Sequence, residues 1–431
     1  MMEERRRMRY VKAQQRAEKL AQRRRLFLRL GIAGVVLIAS IILIFTLTRK
    51  DSEPADQTSA TTPVATESTQ SPTGVPDANT TVIHYAAAGD LNINELTVAA
   101  GGTAYNYTDA FLDVAHLLAD ADIASVNFEG NLCGEPYGAN HSAPNSIATA
   151  LQKAGVDLVQ MANSYSINRG LSGLATSIDA VRNAGMEPLG VYASNADFAQ
   201  HKGYTIRIVK GIKIAFVAFT KGMDGMTLPP SSESCVNLLY TDYDSSYKEI
   251  DSERIGNIMT AVSKEEPDIT IALLHWGSEF NNTISKSQES IVELLQTYGA
   301  DAIIGTHSHY VQKMTYNAEK GQFVAYSLGD FFSTVKWNEQ EEKYFIPSGA
   351  EYSVILDLEI TKDNTTGIAK ITGYSFTPIF TVNEPEQPLR VVRLNPAIAA
   401  YEANYLQKVS AETYDKMRYA LERIAARIAG E

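Results

Sequence analysis

One local pattern recurs from residue 82 to residue 309, and it restricts the fold more than any other feature of the chain. A short apolar-rich run breaks off at a residue able to bind a ligand, and a helical stretch follows. The runs at 82–88, 123–128, 156–161, 269–274 and 302–304 have the length of strands and are too short for buried helices. Between them, apolar residues recur at helical spacing in 108–119 (Phe111, Val114, Ala115 and Leu118 on one face), 146–154, 171–184, 252–263 and 285–298. A hairpin over 204–209 and 212–219 through Lys210-Gly211, a return strand over 322–327, and late strands over 352–360 and 368–376 complete the pattern. Residues 220–250 are polar, with Gly and Pro, and read as a long excursion over the surface. Strands alternating with helices imply a mixed α/β sheet system.

The run ends share a chemistry. Asp90 follows the first, Glu129 the second, Asn163 the third, His275 a later one, and His307 with His309 the next. If the strands run parallel, these ends converge on one crevice. The two imidazoles of His307-Ser308-His309 then point the same way, provided the backbone there is extended. A set of mixed oxygen and nitrogen donors suits Mn, Zn or Fe, and a carboxylate can bridge two divalent ions about 3.5–4 Å apart. Each residue alone has a plainer reading. Asp90 after glycine makes a turn or helix cap, Glu129 pairs with a base, and His275 beside Trp276 is a hydrogen-bonded core histidine. The order of the six favours a metal site. His84, His116, His141 and His201 fit no such order and read as structural or surface residues.

Charge divides the chain. Residues 1–30 hold eleven Lys and Arg against three Glu, a net +8, so the overall −12 leaves −20 on the remainder. A main body this acidic argues against nucleic acid as a partner. The basic end precedes Leu30 to Thr48, nineteen uncharged residues, close to the ~20 that a helix needs to cross a bilayer. The order predicts a basic cytoplasmic segment at 1–29, a transmembrane helix at 30–48 and an extracellular main domain. A cleaved signal peptide is the rival; its core is usually shorter, and no small-residue cleavage site follows the run. Residues 49–80, rich in Ser, Thr, Pro and acidic side chains, predict a disordered linker. The folded domain then covers 81–385, and 386–431 forms a C-terminal helical appendage whose amphipathic part, 399–428, reads as a helix packed on its own domain or as a partner-binding tail, with the first reading favoured. Two cysteines, Cys133 and Cys235, exclude a disulfide scaffold and leave a single bridge or two thiols open.

Six segments carry a family resemblance: AAAGDL at 86–91, VNFEGNL at 126–132, AGVDLVQMANSYSINRG at 154–170, LLHWGSEF at 273–280, GADAIIGTHSHYVQ at 299–312 and VAYSLGDFF at 324–332. In number, order and spacing they resemble the CapA family of bacterial capsule synthesis proteins, involved in poly-γ-glutamate capsule formation and related to calcineurin-like metallophosphatases. The resemblance implies a four-layer α/β/β/α sandwich with a two-metal site at its strand ends. It also implies that Asp90, Glu129, His275, His307 and His309 are metal ligands, with Asn163 as a substitute ligand. Cell-envelope polymer or capsule-assembly proteins are the implied partners. The family reads Ala-Asn-Asn-His where this chain has Ala162-Asn163-Ser164-Tyr165, and Asn-Phe where it has Asp330-Phe331. Serine is a poor neutral ligand and tyrosine a mediocre acid at neutral pH. Three functions therefore stay open: a metal-dependent, phosphoesterase-like hydrolase acting on an envelope polymer or a phosphoester, a catalytically impaired scaffold of a capsule-assembly complex, and a surface binding module with no link to capsule.

Overall fold

The computed structural model describes residues 79–333, 336–338, 343–406 and 408–430. The chain divides into two units, 1–62 and 63–431, and every described residue lies in the second. The expected basic segment 1–29, the transmembrane helix 30–48 and all but the last two residues of the linker 49–80 lie outside the described residues. Among the described residues, no helix is long and apolar enough to cross a membrane.

In chain order the strands are β1 Thr80–Asn92, β2 Ile123–Glu129, β3 Leu158–Gln160, β4 Glu187–Leu189, β5 Tyr204–Val209, β6 Ile212–Thr220, β7 Ile269–His275 and β8 Ala302–Thr306. They continue as β9 Met314–Asn317, β10 Gln322–Ala325, β11 Asp330–Phe332, β12 Lys336–Asn338, β13 Lys343–Phe345, β14 Tyr352–Asp363, β15 Ala369–Val382 and β16 Arg390–Arg393. One sheet has the order β16-β15-β14-β1-β2-β3-β4, with β11 beside β1; a second has the order β5-β6-β7-β8-β10-β9. Strands β1 to β4 run parallel in the first sheet, as do β6, β7, β8 and β10 in the second.

Alternation along each strand decides what meets what. Tyr85 and Leu158 of the first sheet face Phe216, Ile271 and Ile304 of the second in a shared core. On the far side of the first sheet, Leu91, Val126 and Phe128 pack against Val114, Leu118, Ile147 and Leu174 from helical segments. On the far side of the second, Val217 and Leu274 pack against Ile255, Met259, Ile291 and Leu295 of the helices Ser252–Ser263 and Lys286–Thr297. Helices therefore cover the outer face of each sheet. The hairpin β5–β6 turns through Lys210 at φ 47° and Gly211 at φ 83°, the positive angles that a two-residue hairpin turn requires.

Several expectations are corrected. The helix expected at 108–119 is two short helices, Thr108–Phe111 and Ala115–Ala119. Asp113 lies in the break, where its carboxylate accepts the Arg393 backbone N–H at 2.7 Å. Residues 322–325 are not a return strand. They run parallel to β8, and β9, which the sequence pattern did not reveal, makes the reversal. The boundary at 385 is not followed, because Arg390–Arg393 joins the first sheet beside β15. The terminal helix Ala411–Ala429 buries Met417, Ala420, Ile424 and Ile428 in the core shared by the two sheets. Cys133 and Cys235 are both free thiols.

Because Ile424 is fully buried, Ile424→Ala is expected to lower the unfolding free energy by about 2–5 kcal/mol. Urea unfolding followed by tryptophan fluorescence measures this, and an unchanged midpoint would show that the terminal helix is not part of the core.

Candidate metal centre

The site begins with a handover on the edge of β1. Strand β14 pairs with β1 only as far as Ala87, and β11 then takes the same edge, so Asp90 lies between Asp330 on one side and Asn127 on the other. The handover needs glycine. A Cβ at residue 89 would overlap the Gly329 carbonyl oxygen, which itself accepts the Asp90 N–H at 3.0 Å. Across the gap, His275 ends β7, and the chain leaving β8 turns through His307 at φ 86° and His309 at φ 58°. Those positive angles cost conformational energy for a bulky side chain and collect at functional sites. They also overturn the expected extended His-x-His. The two rings diverge, with centroids 6.1 Å apart, each toward a different carboxylate.

Two groups of three result. Glu129, His275 and His307 bring one ligand atom each within 4.8 Å of one another, and Asp90, His309 and Asp330 do the same. All six residues are at most 3 % exposed. Each group takes carboxylate from the first sheet and imidazole from the second. In the first, Glu129 Oε1 comes to 3.1 Å from His275 Nε2 yet makes no aligned hydrogen bond, and both ring nitrogens of His307 also lack partners among the described residues. A neutral imidazole carries one N–H and one lone pair, so a buried Glu129 oxygen and the lone-pair nitrogen of His307, grouped with His275, form an arrangement that a cation satisfies. In the second, His309 Nδ1 lies 2.8 Å from Asp330 Oδ1 and 3.6 Å from Asp90 Oδ2. The residues fit divalent metal, and Asp90 connects the two groups through Oδ2, which accepts the His307 backbone N–H at 2.9 Å.

An amide layer fixes these ligands. Asn127 Nδ2 donates to Asp90 Oδ1 at 2.5 Å, and Asn163 Nδ2 donates to Asn127 Oδ1 at 3.1 Å and to the Phe128 carbonyl at 2.6 Å. Asn163 Oδ1 accepts the Tyr165 backbone N–H. Asn163 is thus held one step behind the ligands, and its amide is fully engaged there. Ser164 Oγ lies 3.1 Å from His275 Nε2. Tyr165 turns aside and stacks on His141, with ring centroids 3.7 Å apart. His141, which the sequence left outside the pattern, therefore stands at the rim, its Nδ1 donating to the Ile93 carbonyl.

Burial sets the protonation pattern. It pushes Glu129 well above the usual carboxylate range, aided by the charges of Asp90 and Asp330, and raises Asp90 to about 6. Burial holds His275 and His307 well below the ordinary imidazole value. It pulls on His309 too, but Asp330, Glu129 and Asp90 outweigh it and raise that group to about 10. Burial, with Glu129 and Glu279 nearby, pushes the Tyr165 phenol far up, so it stays protonated at neutral pH. The Lys221 ammonium, bonded to the Gly277 carbonyl at 3.0 Å, stands where β6 ends beside His275.

Five of the six expected residues, Asp90, Glu129, His275, His307 and His309, come together; Asn163 stays in the supporting layer. Asp330 completes the second group. Its signal in the sequence was a carboxylate straight after Gly329 at a run end. Asn127 was missed, although it lies two residues before Glu129 and so on the same face of one strand.

Comparison with known proteins follows the same residues. Residues 84–335 match the family described as bacterial capsule synthesis protein PGA_cap. Capsule biosynthesis protein CapA of Bacillus anthracis is 24% identical over 250 residues, 56% of this chain and 58% of that protein. PGA biosynthesis protein CapA of Bacillus subtilis (strain 168) is 24% identical over 194 residues, 44% of this chain and 46% of that protein. The chain thus spans about half the length of the curated relatives it matches. Among solved structures, a novel phosphatase from Mycoplasma pneumoniae has a TM-score of 0.42 at 15% identity, covering 70% of this chain and 94% of that one. A hypothetical protein from Thermus thermophilus has a TM-score of 0.40 at 14% identity, covering 69% of this chain and 98% of that one.

Protons and metal compete for the same atoms. Burial raises Asp90 to about 6, so protons compete with the ion over this range and occupancy by Mn²⁺ is expected to fall as the pH drops from about 7 to about 5. Equilibrium dialysis with elemental analysis reads this; a wild-type chain that takes up no divalent ion at pH 7 would exclude the metal centre. Gly89→Ala, which forces Gly329 away from Asp90, is expected to lower metal affinity by at least tenfold, within the 10–100-fold typical of lost ligand support.

Proposed function

The chain belongs to the bacterial capsule synthesis protein PGA_cap family, and from that premise we propose that it works in the biosynthesis of a capsule polymer, with poly-γ-glutamate as the polymer. The names of both Bacillus relatives support that reading. The proposal takes the fold as a metallophosphatase-like four-layer sandwich. It takes the protein as held by one N-terminal transmembrane helix, with its main domain outside the cell facing envelope polymer and capsule-assembly proteins.

The activity proposed is metal-dependent hydrolysis of a phosphoester or of a bond in the polymer, with Mn, Zn or Fe as the ion. One observation carries it: two buried carboxylate–imidazole groups, with Glu129 Oε1 and both nitrogens of His307 lacking partners among the described residues. Bound divalent ions would supply Lewis-acid polarisation of a substrate oxygen and activation of water. The chain's own residues supply the rest. Asn127 and the His307 N–H hold Asp90 in one orientation. Phe280 packs beside the second group, its ring centroid 5.0 Å from that of His309. The Lys221 ammonium adds positive charge on the His275 side, where an anionic substrate would approach.

A second reading, a scaffold without turnover, is favoured by residues 164 and 165. Ser164 Oγ is turned to His275, and the Tyr165 phenol is held too basic to give up a proton. Loss of a general acid typically removes ~10²–10⁴ in rate.

The two readings separate on one assay. The purified chain, loaded with Mn²⁺, is expected to hydrolyse bis(p-nitrophenyl) phosphate or poly-γ-glutamate, to stop with EDTA and to recover with added metal. His307→Ala is expected to cut the rate at least 100-fold, in line with loss of a metal ligand at the reacting centre. Metal-loaded protein inert toward both substrates, together with normal capsule in cells carrying His307→Ala, would leave the scaffold reading.

A further inference from the structure

Asn92 is a buried side chain of this region with no assigned task. It lies two residues beyond Asp90 on β1, and the parallel register sets it directly beside Glu129, as Asp90 is set beside Asn127. Leu91 and Ile93, on either side of it, turn into the core under the helices. Alternation therefore turns Asn92 to the opposite face, the one that carries Asp90, Asn127 and Glu129. The four side chains form a two-by-two block: a carboxylate next to an amide, then an amide next to a carboxylate. The first amide is fully used, since Asn127 Nδ2 donates to Asp90. The second is not. Asn92 is 5 % exposed, and its Nδ2 is buried with no hydrogen-bond partner among the described residues.

A buried donor without an acceptor is rare in folded proteins and points to something that occupies the position in the working state. The neighbouring carboxylate does not fill that need, because Glu129 Oε1 is itself without an aligned partner and faces His275. An amide N–H takes an acceptor, and beside a candidate cation site that acceptor is an anionic oxygen brought in by a ligand.

We propose that the Asn92 carboxamide is the ligand-orienting donor of this centre, giving its Nδ2–H to an anionic oxygen, of a phosphate or a carboxylate, held at the Glu129 side. The inference rests on the metal-centre reading above and adds to it the class of group that is recognised. It assigns Asn92 to the bound ligand and not to the metal. Asn127 and Asn163 differ from it, because their amides are spent on holding protein groups.

The test uses the purified full chain, loaded with Mn²⁺, with inorganic phosphate and glutarate as separate probes in titration calorimetry. Asn92→Leu keeps the volume and removes the donor; Asn92→Asp replaces the amide with a charge that repels anions. Metal per chain and thermal midpoint are expected to stay at wild-type values in Asn92→Leu. Affinity for the recognised anion is expected to fall about tenfold in Asn92→Leu, as for a lost hydrogen bond to a charged group, and further in Asn92→Asp. The probe whose affinity falls identifies the source, phosphate or carboxylate. Unchanged affinity for both probes in Asn92→Leu would overturn the inference, as would a wild-type chain that binds neither. Loss of metal from Asn92→Leu would overturn it in favour of a ligand role. A wild-type chain without metal is a different failure, that of the metal-centre reading itself.

Discussion

Six ionisable side chains buried at the meeting of two sheets are the costliest feature of this protein, and the surrounding structure is arranged to hold them. An isolated buried carboxylate is disfavoured by several kcal/mol unless it is paired and hydrogen-bonded. Here each carboxylate of the first sheet faces an imidazole from the second, so the charge balance exists only while the sheets stay in register with each other. The shared apolar core, from Tyr85 and Leu158 across to Phe216, Ile271 and Ile304, maintains that register. Asp90 shows the dependence most clearly. It takes hydrogen bonds from Asn127 in its own sheet and from the His307 N–H beyond the gap.

Of the residues that depart from the family pattern, Asp330 joins the second group, while Ser164 and Tyr165 lie beside the centre. Ser164 is small enough to let its hydroxyl reach His275, and Tyr165 leaves the centre and finds a stacking partner in His141. The local backbone is kept by Asn163 and Ser166, which bridge the turn through Asn163 N–H to Ser166 Oγ and through Ser166 Oγ to the Met161 carbonyl. The turn therefore survives the change of its side chains. The chemistry at its tip passes from an ionisable group to a phenol that stays neutral, which is why metal retention and turnover are separate questions for this chain.

Much of the fold was legible because strand ends announce themselves. Residues 82–88, 123–128 and 269–274 are apolar stretches cut off by a polar residue, and five predicted ligands lie at such cuts or in the turn beyond one. The legible part stopped at features that depend on distant partners. Nothing local marks β9 or β16 as strands; each is four residues long and is stabilised by pairing with β10 or β15. The break in the helix over 108–119 depends on Asp113 meeting a backbone group 280 residues away. His141 looked idle because its partner, Tyr165, lies on another loop.

Residue type and strand periodicity alone determined that two carboxylates, an amide and three imidazoles would follow the ends of five strands of an α/β sheet system. A side chain's face and a run's end are local properties of the backbone. Only the tertiary structure decided how those groups were shared out. The pairing of Glu129 with His275 and His307, and of Asp90 with His309 and Asp330, depends on which sheet lies across the gap and on the positive φ of two histidines. Those are set by the packing of one sheet on the other, a contact that no stretch of sequence contains.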